Sequence, residues 1–429
     1  MYNLNRNILF KKLKAGILYY SLVVIILSVS VISLILLSSY YENRVITLYT
    51  KQAEIERNVF SSFNLLQAGY NVFNKGDSAT IKLFGMEGAK VHLTKKKWGN
   101  YLIVKANASW KNESFSKVAL IGTDLFVNEP IALFMQDEGR ILSLNGNTKL
   151  VGNCYLPGKT ARVSAIEGQQ YTQKELVFGE IKSSPHSLPS LYNNLLNFAD
   201  SIISNGLTTR DSVISINTID SGFVNNSFDH RTLIINTGNV KNLAGYCFSG
   251  NIILWSTLPV TIDKSTKLED VIVFAPQIHV KNGFKGAFQA FAIQSVKIDD
   301  NCELCFPSQL CVIHSEGKYN PSDSLIISLG QYSKLSGAAI IKTHGLTSFI
   351  KIDKGASIHG QIYCPGLIEL NGEIIGSLFC KGFYLKTEKA NYYNHLLNTI
   401  IDFNSLSKNF VGVDLIRQDS IKDVIKWLE

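Results

Sequence analysis

The stretch FIKIDKGASIHGQIYCPGLIELNGEIIGSLFCKGF, from Phe349 to Phe383, decides the fold of this chain. It contains two copies of one pattern, Ile358–Cys364 and Ile374–Cys380, which begin 16 residues apart. Alternating apolar residues are typical of a strand with one buried face, and the regular glycines mark tight turns. A repeat of 16 to 18 residues therefore predicts one coil of a β-solenoid for each copy.

The same alternation continues backwards through the C-terminal half. The predicted apolar ladder positions are Ile235, Ile262, Val280, Ile298, Leu329, Ile352 and Leu370. Copies of the glycine signature are Leu243-Ala244-Gly245, Phe284-Lys285-Gly286 and Leu335-Ser336-Gly337, while Leu268-Glu269-Asp270 carries Asp in place of Gly. With two earlier copies that start at about Ile131, roughly nine coils are predicted, and they must stack because one coil cannot bury its own apolar face.

Two parts of this repeat, Ile352–Ile362 and Leu370–Leu378, resemble the repeat of the bactofilins, the polymer-forming cytoskeletal proteins. The resemblance covers about 40 residues clearly and about 150 more weakly. It implies a right-handed parallel β-helix that acts as a scaffold without enzymatic activity. It also implies a protein that polymerises end to end.

A second decisive stretch is Ile17–Tyr41, which has no charged residue and follows the basic residues Arg6, Lys11, Lys12 and Lys14. At about 1.5 Å per residue it is long enough to cross a bilayer core of about 30 Å. Tyrosine pairs at both ends suit an aromatic belt, and the basic side is predicted to stay in the cytoplasm. We therefore expect a single-pass protein of the inner, cytoplasmic membrane with its bulk outside the cytoplasm. The alternative is a cleaved signal peptide, whose apolar region is normally shorter.

The helix is predicted to continue from Glu42 to about Tyr70. Its apolar stripe consists of Val45, Leu48, Ile55, Val59, Phe63 and Leu66. Lys14-Ala15-Gly16, followed by an apolar helix that becomes amphipathic, resembles the start of type IV pilins and pseudopilins. Those proteins are cleaved after a glycine and carry a glutamate five residues later, where this chain has Ser21. The resemblance implies cleavage after Gly16, and an ordinary membrane anchor is the alternative.

A four-stranded meander is predicted next. Its strands are Ala79–Phe84, Ala89–Thr94, Tyr101–Trp110 and Ser114–Ile121. Lys95-Lys96-Lys97 is interpreted as a group of solvated lysines at the second turn, with contact to a membrane surface as the alternative. The meander is expected to cover the first end of the solenoid.

Pro185 and Pro189 interrupt the repeat, and a helix is predicted over Ser190–Ser204. A short amphipathic helix is predicted over Asp419–Leu428, in a tail expected to cap the last coil. The predicted organisation is a cytoplasmic tail (1–16), transmembrane helix (17–41), amphipathic helix (42–75), β-meander (76–130), first coils (131–184), helical insertion (185–230), main β-helix (231–385) and C-terminal cap (386–429).

Seven cysteines are too few and too unevenly spaced for a disulfide framework. Cys302, Cys305, Cys311 and His314 could supply a tetrahedral zinc site, although the middle spacer is short, and a disulfide or isolated thiols are the alternatives. Cys364 and Cys380 fall at equivalent positions of successive coils. Buried ladder thiols are expected there, with a disulfide as the alternative.

The charged residues give little indication of catalysis. Asp299-Asp300 and Asp353 are expected at coil corners, and Asp229-His230 lacks a nucleophile motif. Lys342, His344, Lys351 and His359 are interpreted as solvated residues of an outer face. We therefore assign no catalytic, cofactor-binding or metal-binding residue.

The net charge of +8 is spread along the chain without a basic stripe, which disfavours nucleic-acid binding. The first hypothesis is a membrane-anchored β-solenoid with a structural or assembly role, pilin-like or secretion-associated. Its expected partners are the membrane, other envelope, pilus or secretion proteins, and further copies of itself. The alternative hypothesis is a β-helix that binds or cleaves polysaccharide.

Overall fold

A computed structural model describes residues 15–70, 72–73, 76–83, 90–126, 129–205, 212–219, 222–314, 324–343, 345–416 and 422–428. The protein is mostly β, with a long apolar helix, α1 (Ala15–Gln67), near its N-terminus. This single helix contains both the apolar and the amphipathic segment predicted from the sequence. It is long and apolar enough to cross a membrane, with a mean hydropathy of 2.8 in its most apolar window.

The predicted meander forms an antiparallel sheet. Its strands are β1 (Ser78–Lys82), β2 (Lys90–Trp98), β3 (Tyr101–Trp110) and β4 (Glu113–Asp124), paired in that order. Lys95-Lys96-Lys97 lies within β2, so its prediction as a turn is wrong. The turn that follows is Gly99-Asn100, where Gly99 has a positive φ of 60°.

Most of the remaining strands are parallel and form one closed network. This network, together with a two-stranded sheet and a three-stranded sheet that shares its core, is called the stack below. Its first part contains β5 (Ile131–Met135), β6 (Leu142–Asn145), β7 (Lys149–Val151), β8 (Asn153–Leu156), β9 (Ala161–Val163), β10 (Ala165–Ile166), β11 (Gln169–Gln170) and β12 (Ile181–Ser183). A short helix, α2 (Asn197–Asn205), follows and overlaps the second half of the helix predicted over Ser190–Ser204.

The second part of the stack begins inside the range predicted as a helical insertion. It contains β13 (Ser212–Ser215), β14 (Phe223–Asn226), β15 (Leu233–Asn236), β16 (Asn242–Leu243), β17 (Cys247–Gly250), β18 (Ile252–Trp255), β19 (Val260–Ile262), β20 (Lys267–Val280), β21 (Lys285–Ile298), β22 (Glu303–Ile313), β23 (Ser324–Leu329), β24 (Lys334–Lys342), β25 (Thr347–Ile352), β26 (Ser357–Leu370) and β27 (Glu373–Lys386). The C-terminal strands are β28 (Asn391–Tyr393), β29 (His395–Leu397), β30 (Ile400–Asp402), β31 (Val411–Gly412) and β32 (Lys422–Leu428).

The register of the stack agrees with the main ladder predicted from the sequence. Ile262, Val280, Ile298, Leu329, Ile352 and Leu370 pair successively across parallel strands. In the decisive stretch Ile358 pairs with Ile374 and Cys364 with Cys380. Ile235 is the exception, because it pairs with Leu254. The residue that pairs with Ile262 and extends its ladder is Leu243. The Phe284-Lys285-Gly286 copy is shifted by two residues relative to the next strand. Gly286 pairs with Leu304 and not with Phe306, two residues later.

The order of strands in space differs from their order in the chain. β27 pairs with β26 on one side and with both β5 and β30 on the other. From β5 the chain runs outward to β12, then starts again at β13 and returns strand by strand to β27. The layer beside β27 is therefore built from two segments that are distant in sequence, Ile131–Met135 and Ile400–Asp402.

This arrangement overturns one prediction about the tail and refines another. The tail strands β28 and β30 pair with β27, but β5 pairs there as well, so β27 is not the last coil of the stack. The residues predicted as a helix at Asp419–Leu428 contain the strand β32, which pairs antiparallel with β4 of the meander, as does β31. The meander itself lies against the side of the stack, as the contacts in the next subsection show.

Candidate functional site: the N-terminal helix and the docking face of the stack

The helix α1 has two halves with different surroundings. From residue 16 to residue 50 its side chains are exposed, apart from the half-buried Val23. Further along, Ile55, Val59, Phe63 and Leu66 are buried, at spacings that place them on one face of the helix. The uncharged part of this exposed surface, Ile17–Tyr41, is unfavourable in water, and its length and composition are sufficient for a membrane span.

The second half of α1 packs on the meander. Its buried face contacts Val91 and Leu93 of β2, Val104, Ala106 and Ala108 of β3, and Ala119 and Ile121 of β4. The three alanines leave room for the bulky helix side chains. Asn58 is also buried there, with 1% of its surface exposed, and its amide has no hydrogen-bond partner among the described residues.

The C-terminal tail encloses this helix–sheet pair. Trp427 of β32 packs edge-on against Phe60 and Phe63 of α1, with ring centroids 5.5 and 4.9 Å apart. Lys422 forms an ion pair with Asp414 at 2.5 Å, and Thr123 of β4 donates a hydrogen bond to the same carboxylate. The tail thus ties β4 and α1 together.

The stack offers one outer face to these elements, called the docking face below. Its buried outward residues include Phe274, Phe291, Cys311, Ile340, Tyr363, Phe379 and Phe134, which pair in sequence across neighbouring strands. They are covered by residues of the meander, of α2 and of the tail. At one end an apolar cavity of about 360 Å³ lies between this face and Val413 and Leu415.

The turn between β2 and β3 is fixed to the docking face by buried amides. Gln289 accepts a hydrogen bond from the backbone N of Asn100 at 3.1 Å and donates one to the carbonyl of Trp98 at 3.1 Å. The Asn100 amide donates to Gln309 and to the sulfur of Cys311. A Cβ atom at Gly99 would lie 2.0 Å from the Gln289 oxygen, so a larger residue at this position would have to displace that side chain.

The tail is fixed to the same face by a similar device. The Gln361 side chain accepts a hydrogen bond from Val413 N at 2.8 Å and donates one to Val413 O at 3.3 Å. Lys426 forms an ion pair with Asp270 at 2.7 Å. Burial raises the pKa of the Asp270 carboxyl, and Lys426 offsets part of that shift.

The lysines of β2 take part in this junction. Lys96 donates a hydrogen bond to Thr232 of the stack. Burial lowers the pKa of Lys97, which the neighbouring Asp414 opposes. The interpretation of these residues as solvated is therefore wrong for Lys97.

The cysteines considered for metal or disulfide chemistry do not converge on a site. All seven are free thiols, and Cys302, Cys305, Cys311 and His314 form no group that could hold a metal ion. Cys364 and Cys380 are fully buried and adjacent in register, as the ladder interpretation predicted. Burial raises the pKa of Cys154, Cys311 and Cys364 to about 12, which disfavours the reactive thiolate.

The charged candidates lie apart from one another. Asp229 forms an ion pair with Lys105 of the meander, and His279 contacts Asp299 at a corner of the stack. Lys342 pairs with Asp200 of α2, and Lys351 pairs with Asp353. His359 is exposed, as predicted, whereas His344 lies outside the described residues.

The residues that sequence reasoning missed are Asn100, Gln289, Gln309 and Gln361. A signal was present, because each glutamine lies within or directly before an apolar run of its strand. Aligning the repeats would have placed Gln289 beside Gln309, as the structure does. A buried amide that faces outward indicates a partner surface, since it must find hydrogen bonds there.

Comparison with protein-family models, curated proteins and solved structures gave no match for this chain. Function therefore has to be argued from the geometry described above.

Proposed function

We propose that this protein is a membrane-anchored subunit with a structural or assembly role, pilin-like in its N-terminal module. In this proposal the stack is a right-handed β-solenoid held outside the cytoplasm. Right-handed crossover is the general rule for parallel strands, which supports that handedness. The predicted orientation follows from the basic residues that precede the apolar segment.

The division of α1 supports the proposal most strongly. From Ile17 to Tyr41 the exposed half is apolar on every side, while one face of the other half is buried on an antiparallel sheet. This is the arrangement implied by the resemblance of residues 14–41 to type IV pilins. A helix of this kind can rest in a bilayer and can also exchange lipid for the helices of neighbouring subunits, because both bury the same apolar surface.

The rigidity of the module also supports an assembly role. The helix packs on one side of the meander sheet and the stack packs on the other, with β32 of the tail next to both buried clusters and polar pairs at defined positions. Position-specific buried polar contacts fix orientation as well as affinity. The stack is therefore held at a set angle to the anchor, as a subunit of an ordered assembly requires.

The processing of the N-terminus tests the proposal that the N-terminal module is pilin-like. We expect a prepilin peptidase to remove residues 1–16, so that intact-mass measurement of membrane-extracted protein shows a chain beginning at Ile17. Gly16→Val should block the cleavage without disturbing the fold, because the space around Gly16 is open. An unprocessed wild-type chain in cells that cleave another pilin would reject the pilin-like part.

Membrane extraction tests the anchoring itself. The protein should stay with the membrane at high salt and in carbonate and be released by detergent. Release by carbonate would reject a spanning anchor, whatever the result at Gly16.

A further inference from the structure

A groove crosses the corner of the stack at which one strand of a layer ends and the next begins. In register, Leu329, Ile352 and Leu370 end one row of strands, and Lys334, Ser357 and Glu373 begin the next. The first two turns each have four residues, 330–333 and 353–356, but the third has only Asn371 and Gly372. The short turn leaves a recess with a volume of about 660 Å³.

The floor of the recess is held by close backbone contact. A Cβ atom at Gly372 would lie 2.1 Å from the carbonyl oxygen of Ala356, so the short turn packs directly on the preceding one. Lys386 and Thr387 line the recess at the end of β27, opposite the longer turns. The shape of the recess is therefore determined by the packing of the backbone turns.

An aromatic ring lies at the rim. Tyr332 is 59% exposed, and its backbone N donates a hydrogen bond to the carbonyl of Lys354 at 3.3 Å. Its ring lies against Gly355, since a Cβ atom there would be 2.6 Å from the ring. The ring is thus backed by the next turn while most of its surface faces outward.

The polar lining is rich in groups that both donate and accept hydrogen bonds. Gln331 and Asn371 supply amides, and Lys354 and Lys386 are balanced in charge by Asp353 and Glu373. Asp353 is also paired with Lys351 at 2.9 Å. A lining without net charge does not favour a strongly anionic or cationic ligand.

We propose that this groove binds a neutral polysaccharide. A sugar ring presents hydroxyl groups at its edge, which suit amides and carboxylates, and an apolar C–H face, which suits an exposed aromatic ring. Neighbouring turns follow one another at about 4.8 Å along the stack, so an extended sugar chain along this axis would pass all three turns. The inference goes beyond the assembly role and does not depend on it.

The test is isothermal titration calorimetry with the full chain in a detergent that has no sugar headgroup. The probes are the β-1,4-linked hexamers of glucose and of N-acetylglucosamine, with oligogalacturonate as the acidic comparison. We expect at least one neutral hexamer to bind and Tyr332→Ala to weaken it on the order of tenfold, since an aromatic contact contributes up to about 1.5 kcal/mol. Tyr332→Phe should retain most of the affinity.

Phe223→Ala is the matched control, because Phe223 is a similarly exposed ring (58%) on a distant strand of the stack. It should leave the affinity unchanged. No binding of either neutral hexamer, binding of the acidic probe alone, or equal losses in Tyr332→Ala and Phe223→Ala would overturn the proposal. The melting temperature of Tyr332→Ala should equal that of the wild type, which separates a binding defect from a folding defect.

Discussion

The interior of the stack and its docking face are both buried, but they are built differently. The interior consists of apolar ladders such as Val280, Ile298 and Leu329, each residue packed on its equivalent in the next strand. The docking face mixes aromatic rings with amides and ion pairs. Apolar ladders tolerate many partners that exclude water, whereas a buried amide accepts only a partner with matching groups at the correct position. The interior therefore provides stability, and the docking face determines where the meander and the tail attach.

The largest expected effect comes from placing a charge in the interior. Ile358 is fully buried between Leu335 and Ile374, and Ile358→Asp should lower the free energy of unfolding by about 4 kcal/mol or more. His359→Asp is the control, because the next residue on the same strand is exposed and should change stability by less than about 0.5 kcal/mol. Chemical denaturation followed by circular dichroism measures both. Similar losses in the two variants would contradict the inward and outward assignment.

A smaller effect is expected at the docking face, where Gly99→Ala should displace Gln289 and break its two hydrogen bonds to the turn. Gly283 also has a positive φ (78°, against 60° at Gly99), but its surroundings are open. Gly283→Ala therefore reports the backbone strain alone, about 1 kcal/mol. Gly99→Ala should cost about 2 kcal/mol more, because buried polar groups lose their partners.

Hydrogen exchange locates that difference. The amide of Asn100 should exchange faster in Gly99→Ala, while the strand amides of β26 keep their protection. Equal stability losses in the two alanine variants would show that the Gln289 contact does not hold the meander in place.

The same contrast explains what the sequence could predict. The ladder at Ile352 and Leu370 depends on local alternation, which one sequence displays directly. The return of the chain to β5 was not predictable, since Ile131–Met135 could in principle pair with any strand of similar pattern. The prediction of a helix at Asp419–Leu428 failed because β4 offered an unpaired edge, and pairing there outweighed local preference. Gln289 was overlooked because an outward polar residue is usually solvated.

An intermediate effect concerns pH and the attachment of the tail. The pKa of Asp270 is raised from 3.8 in the folded state, so the folded protein holds this proton more tightly than the unfolded chain. The resulting stabilisation is present at low pH and is lost as the pH rises above 3.8 through the raised value. Asp270→Asn should therefore flatten the fall of stability that begins as the pH rises above 3.8.

Lys426→Met should make the same fall steeper, because Lys426 lowers the pKa of Asp270. The effect should stay within about 1 kcal/mol, since Lys426 is partly exposed. Thermal melting at a series of pH values compares the three proteins. Parallel curves would assign the pH dependence to another group.

The smallest perturbation is thiol labelling, which reports on both regions without altering the fold. In the native protein a maleimide should modify Cys247 and Cys305, which are partly exposed, and leave the five buried thiols unmodified. All seven should react in denaturant, and fewer than seven would indicate a disulfide. Cys311 lies on the docking face 3.2 Å from the Asn100 amide, whereas Cys364 lies in the interior. In Gly99→Ala the label should therefore reach Cys311 sooner and Cys364 at the wild-type rate, because loosening the docked turn uncovers only the outer thiol. Faster labelling of both would mean that the docking face and the interior open together, so the meander would be part of the cooperative core of the stack.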